Sequence, residues 1–157
     1  MDKNYIDLHI HTTNSDGYFS PKEIVEMASK NDTSLIAISD HDSICGLPEF
    51  KENLKFGMHG IAGVEFSSYI MLNNKKIKLH ILGYGFDENN IKMLNLLQEM
   101  KEKRVAAHIK LLNFAKMKLL NLPEDSLSRI NMERYCWFDR EFIKCLEQDN
   151  YSMDDIN

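Results

Sequence analysis

At 157 residues, with 43% hydrophobic and 27% charged positions, the chain has the size and balance of one globular domain with a real core. No apolar run approaches the length of a membrane span and the N-terminus does not read as a leader, so a cytoplasmic protein without membrane contact is expected. The net charge of −5 argues against a long nucleic-acid footprint, but not against a small anionic substrate, because bound cations would reverse the local field.

Tyr5 to His11 alternates, with Ile6, Leu8 and Ile10 on one face and Asp7, His9 and His11 on the other, which is the period of a strand. "SPKE" at Ser20–Glu23 is a capping box with proline at the first helical position, and the helix continues through Ile24, Val25, Met27 and Ala28. "LIAIS" at Leu35–Ser39 is a continuous apolar run of the kind found in buried parallel strands, so the first three elements make a βαβ unit. Gly46 to Lys55 reads as another helix. Ile61 to Phe66 and Ile77 to Leu82 read as two strands, with Asn73-Asn74 suited to a hairpin turn between them. Beyond Tyr84, apolar residues recur at helical spacing (Ile91, Leu94, Leu97, Val105, Ile109, Leu112), Asn121-Leu122-Pro123 breaks the run, and Phe138 to Leu146 reads as a last short helix. The expected organisation is an α/β front half, residues 1–87, and a helical segment, 88–157. Cys45, Cys136 and Cys145 have no zinc-like spacing, which suits reduced thiols.

Chemistry concentrates in four segments: "DLHIHTTNSDG", "ISDHDS", "GVEFSS" and "LHILGYG". They carry His9, His11, Asp16, His41, Glu65 and His80, all able to ligate a metal, and most on or just after expected strands. The strand period places His9 and His11 on one face about 7 Å apart along the chain, so their rings can converge on one ion. In parallel α/β folds the loops at strand C-terminal ends converge on the site, which is where Asp40, His41 and Asp42 fall. Glu65 lies in an apolar strand, where a buried carboxylate needs a partner or a cation. Mixed imidazole and carboxylate donors suit Zn, Mn or Fe better than Ca or Mg alone. Asp7 shares the His9 and His11 face and is placed to orient an imidazole. Asp40 and Asp42 either do the same for His41 or cap the following helix. His59 and His108 are set aside as structural or exposed.

These segments, in this order, resemble the PHP (polymerase and histidinol phosphatase) family, particularly its small stand-alone phosphoesterases that act on nucleotides. The likeness is specific over residues 5–86, and the helical stretch 88–151 resembles the insertion of those enzymes more weakly. It implies the N-terminal part of a distorted (β/α)7 barrel followed by an insertion-like helical segment, with one to three divalent metal ions. By the resemblance, His9 and His11 hold a first metal, Glu65 bridges first and second, His80 lies on the second, and Asp16 and His41 hold a third. The implied reaction is hydrolysis of phosphate esters of nucleotides or short oligonucleotides by a metal-activated hydroxide.

The family pattern also includes a histidine in an "hP" segment and a late D-x-H, and these 157 residues contain neither. An R-x-H of the insertion corresponds to a segment with Arg140 but no histidine beside it, which makes Arg140 the candidate substrate contact. The competing expectation is therefore a truncated or degenerate PHP domain that binds metal or nucleotide without efficient turnover. Such a chain would self-associate or be completed by a C-terminal partner chain.

Overall fold

The computed structural model describes residues 5–118. Met1–Leu97 forms one compact unit, and the described residues from Gln98 onward belong to a second.

The sheet has four strands in sequence order: β1 (Tyr5–Ile10), β2 (Thr33–Ile38), β3 (His59–Leu72) and β4 (Lys75–Tyr84). β1, β2 and β3 are parallel, and β4 returns antiparallel to β3. Two helices make the parallel crossovers, α1 (Pro21–Lys30) and α2 (Leu47–Asn53). α1 starts as its sequence dictates: Ser20 accepts from Glu23 N, and the Glu23 carboxylate accepts from Ser20 N, satisfying two end donors reciprocally. Its inner side carries Ile24 and Val25, and α2 adds Leu47 and Phe50. These four pack with Ile36 and Ile38 of β2 into one buried cluster. β2 is an interior strand, paired with β1 and β3 and backed by both helices, which explains its unbroken apolar run. Ile36 and Ile38 face the helices, so by the pleat Leu35, Ala37 and Ser39 line the other face.

Ile10 and Ala62 join the helix-side core from the flanking strands. Ile6, expected to share that face, is 63% exposed, because the cluster reaches only the C-terminal end of β1. The hairpin is longer than the apolar pattern suggests: its register runs unbroken from Gly63↔Tyr84 to Leu72↔Lys75. Asn73 and Asn74 both take positive φ, 50° and 61°, as a two-residue turn of matching twist requires. The sheet curls into a half-barrel. Tyr84 at the end of β4 donates its hydroxyl to the carbonyl of Leu8 on β1, 2.7 Å away, although the two strands are not paired.

After the hairpin, Asn90 accepts from Lys92 N and Met93 N and so caps α3 (Ile91–Lys118). The expected break at Asn121–Pro123, the helix Phe138–Leu146 and Arg140 lie outside the described residues. No helix among the described residues is long and apolar enough to cross a membrane.

Candidate metal centre

The six candidate ligands meet at the C-terminal ends of the parallel strands, on the face away from α1 and α2. β1 brings His9 and His11 to that face by its period, and their Nε2 atoms converge to 3.0 Å. The chain then folds back on itself: Ser15 N and Gly17 N both donate to Thr12 O, which returns Asp16 to the strand end. A side chain at Gly17 would lie 2.2 Å from His11 O, so only glycine allows that close turn. Asp16 Oδ1 sits 2.6 Å from His11 Nδ1. His41 follows β2 and pairs with Glu65 through Asp42 N donating to Glu65 O and Glu65 N to Asp40 O. Glu65, 4% exposed, is the hub. Its Oε2 lies 2.9 Å from His9 Nε2, 2.8 Å from His11 Nε2 and 3.5 Å from His41 Nδ1, while Oε1 lies 3.0 Å from His80 Nδ1.

Three overlapping donor groups result: His9, His11 and Glu65; His11, Asp16 and His41; His41, Glu65 and His80. The first is the tightest, a triangle of two ring nitrogens and one carboxylate oxygen with sides of 2.8 to 3.0 Å. Lone pairs so close repel unless a proton or a cation lies among them. Metal bonds of about 2.0–2.2 Å to nitrogen and oxygen bring ligand atoms to about this separation. The donor set therefore fits a divalent ion. His11 Nε2 belongs to the triangle while its Nδ1 meets Asp16, the arrangement in which a carboxylate fixes the tautomer and aim of a ligating imidazole.

The fields in the site couple the imidazoles to the two carboxylates. The hydrogen bond to Asp16, and then the charges of Asp16 and Glu65, raise the His11 pKa against the effect of burial. Burial pushes the Asp16 and Glu65 carboxyls upward, but the neighbouring imidazoles outweigh it and hold both below the ordinary carboxylate values. Burial lowers the His41 pKa despite Glu65 and Asp16, which favours the neutral ring that can act as a ligand.

The aspartates expected to orient imidazoles have other partners. Asp40, 2% exposed, accepts Thr12 N and Thr12 Oγ1 at 2.7 Å and Ser15 Oγ at 2.5 Å. It thus braces the loop carrying Asp16 rather than the His41 ring, because β1 and β2 end side by side and the loop closes over it. Asp42 Oδ1 accepts Ser67 N at 2.7 Å, tying the β2 end to β3. Asp7 Oδ1 accepts the backbone N of His9 at 3.3 Å, within its own strand. Thr12, Ser15 and Tyr84 were not singled out in the sequence, although all three lie in or beside the four segments. Burial, then Glu65 and Asp7, raise the Tyr84 pKa, so its phenol stays protonated as a donor to Leu8. His59 begins β3 exposed, and neither it nor His108 joins any donor group among the described residues.

The PHP domain model matches residues 7–151. The chain belongs to the PHP domain family. A 5'-3' exoribonuclease of Haemophilus influenzae is 41% identical over 105 residues, covering 66% of this chain and 36% of the relative. A phosphoribosyl 1,2-cyclic phosphate 1,2-diphosphodiesterase of Eggerthella lenta is 32% identical over 101 residues, covering 64% and 38%. Among solved structures, an amidohydrolase of Chromobacterium violaceum with bound sulfate superposes with a TM-score of 0.71 at 26% identity. That match covers 96% of this chain and 52% of the solved one. This PHP chain thus spans between a third and two fifths of the curated relatives' length, and about half of the solved barrel.

Proposed function

We propose that this PHP domain serves a divalent-metal-dependent phosphoesterase acting on nucleotides or short oligonucleotides. The observation that carries the reading is Glu65, a buried carboxylate with ring nitrogens of His9, His11 and His80 within 3.0 Å. The two relatives named above are phosphodiester-cleaving enzymes by name, which supports the reaction class. The mixture of imidazole and carboxylate donors suits Mn, Zn or Fe.

A bound divalent ion supplies Lewis acidity toward phosphoryl oxygens and acidifies water. The chain's own residues do the rest. Asp16 holds His11 in one orientation, and Asp40 holds the loop that carries Asp16. His9 and His80, with side chains 48% and 45% exposed, form the accessible rim that an incoming phosphate meets. The donor groups contain two carboxylates, Asp16 and Glu65, whose charge one divalent ion would balance and a second would exceed, leaving the donor set cationic. A cationic site selects a phosphate dianion by Coulomb attraction.

The exposure of Ile70, Leu72, Ile77 and Ile81 on the hairpin favours a second reading. In it the domain binds metal and nucleotide, and turnover requires protein surface that covers this face, from a second copy or another chain. The test is release of phosphate or nucleotide from a 5'-mononucleotide and a short RNA, before and after chelation and on restoring Mn. Hydrolysis that disappears with chelator and returns with Mn supports the first reading. Retained metal and nucleotide binding without hydrolysis supports the second, and absence of both overturns the metal assignment.

A further inference from the structure

The hairpin beyond the metal centre has two unlike faces. Pairing places Ser67 opposite His80, Tyr69 opposite Lys78 and Met71 opposite Lys76. Because side chains alternate, Ser67, Tyr69, Met71, Lys76 and Lys78 all lie on the Glu65 and His80 face. The other face carries Ile70, Leu72, Ile77, Leu79 and Ile81. Lys76 Nζ stands 3.9 Å from the centre of the Tyr69 ring, which fixes both on the same side, and Tyr69 remains 55% exposed. Residues 66–82 hold three lysines and no Asp or Glu, in a chain of net charge −5.

We infer that this face of the hairpin is a binding track for single-stranded nucleic acid leading out of the metal centre. The inference rests on the phosphoesterase reading and names its substrate class: an oligonucleotide rather than a mononucleotide. Residues on one face of a strand recur about every 6.7 Å, comparable with one nucleotide of an extended single strand, and from His80 to Lys76 the track runs about 13 Å. That length suits about two nucleotides beyond the phosphate at the metal centre. Lys76 and Lys78 are placed for backbone phosphates, and Tyr69, 55% exposed with Lys76 over one side of its ring, offers the other side to a stacking base. Such stacking tolerates any base, so the track carries no sequence preference. The acidic balance of the remaining chain limits the footprint to this short stretch.

The test measures binding of a labelled hexanucleotide RNA with cleavage-resistant phosphorothioate linkages, and of adenosine 5'-monophosphate, to the full chain in Mn. Each neutralised phosphate on a single strand contributes about 0.7 to the salt slope, so Lys76→Gln/Lys78→Gln should reduce the slope for the hexanucleotide by about 1.4. Tyr69→Ala should weaken the hexanucleotide about tenfold. In both variants the ratio of hexanucleotide to monophosphate affinity should fall. A ratio and slope equal to wild type overturn the track, as does an equal loss for both ligands, which would make the hairpin a mere support for the site. If wild type binds the monophosphate no more weakly than the hexanucleotide, only the track fails. If it binds neither, the phosphoesterase reading fails with it.

Discussion

Replacing Asp40 tests whether the loop carrying Asp16 is held by one buried carboxylate. Asp40 accepts three hydrogen bonds, two from Thr12 and one from Ser15, at 2.5 to 2.7 Å. Thr12 Oγ1 in turn accepts Asn14 N and Asn14 Nδ2, both at 3.1 Å, so its lone pairs are already engaged. Asp40→Asn keeps the shape. With its oxygen on Thr12 N and Ser15, the amide nitrogen faces a hydroxyl that has no lone pair to offer. Loss of one charge-assisted bond and one unpaired buried donor together cost about 2–3 kcal/mol. Asp40→Ala removes all three bonds, each worth about 1.5 kcal/mol net to a charged acceptor, for a loss of about 4–5 kcal/mol. Typical domains have only 5–15 kcal/mol in total, roughly, so the alanine variant should be severely impaired and the asparagine variant measurably so. Equilibrium urea unfolding in the presence of chelator is the assay, since a bound ion would mask the effect. An alanine variant within about 1 kcal/mol of wild type would refute the reasoning, because a buried network of this kind cannot be deleted so cheaply.

Four further outcomes are expected. His9→Ala removes a corner of the tightest donor triangle and should lower the metal content of protein purified without chelator at least tenfold by elemental analysis; unchanged content would remove His9 from the site. Metal affinity should fall from pH 8 to pH 6 by up to about tenfold per unit per displaced proton, because Asp16 raises the His11 pKa and the ion must compete with that proton. The sign in metal-free protein is separate: the raised His11 contributes stability that is full below about pH 6.5 and is lost as pH rises through its folded value, while the lowered Asp16 contributes above about pH 3.9 and is lost as pH falls through its own. Metal-free stability should therefore fall toward alkaline pH where metal-bound stability does not, as paired thermal melts would show. Ser20→Ala should cost about 1 kcal/mol by removing the α1 cap, with metal content unaffected; a neutral effect would mean the Glu23 bond alone suffices.

The parts of this fold legible in the sequence are those that local physics writes locally. The Ser20–Glu23 box, the period-two alternation of β1 and the apolar run of β2 depend on near neighbours, and each element appears where it was expected. The hairpin's outer half was missed because its side chains are not buried: Tyr69–Leu72 and Lys75–Lys78 are exposed, and the ladder with its Asn-Asn turn, rather than a core, sustains them. The partners of Asp40 were missed for a different reason. They lie 28 and 25 residues away, and only the adjacency of β1 and β2 brings them together. Proximity in sequence suggested either the His41 ring or the start of the following helix as the partner of Asp40, and chain topology brought the Thr12–Ser15 loop to it instead. Tyr84 is the extreme case, 76 residues from the Leu8 carbonyl it bonds, visible only once the sheet curls.

Glu65 concentrates charge and reach in one side chain, and two substitutions separate them. Its Oε2 lies within 2.9 Å of His9 and His11 and 3.5 Å of His41, while Oε1 serves His80 at 3.0 Å. Glu65→Asp keeps the charge but withdraws the carboxylate by about 1.5 Å, one carbon–carbon bond. Contacts near 3 Å would open beyond bonding range unless the strand moved, and β3 is held on both sides by β2 and β4. Glu65→Gln keeps the reach but replaces one oxygen by an amide nitrogen that cannot ligate, and removes the charge that stabilises a cation among four imidazoles. If the carboxylate bridges donor groups, both variants should bind Mn more weakly, and only the glutamine should abolish it. The aspartate retains attraction over a longer distance, whereas the glutamine presents a donor to a cation. Calorimetric titration of metal-free protein resolves the two. A glutamine variant that binds Mn as wild type does would show that Glu65 is a hydrogen-bond acceptor for the imidazoles and no part of a metal centre.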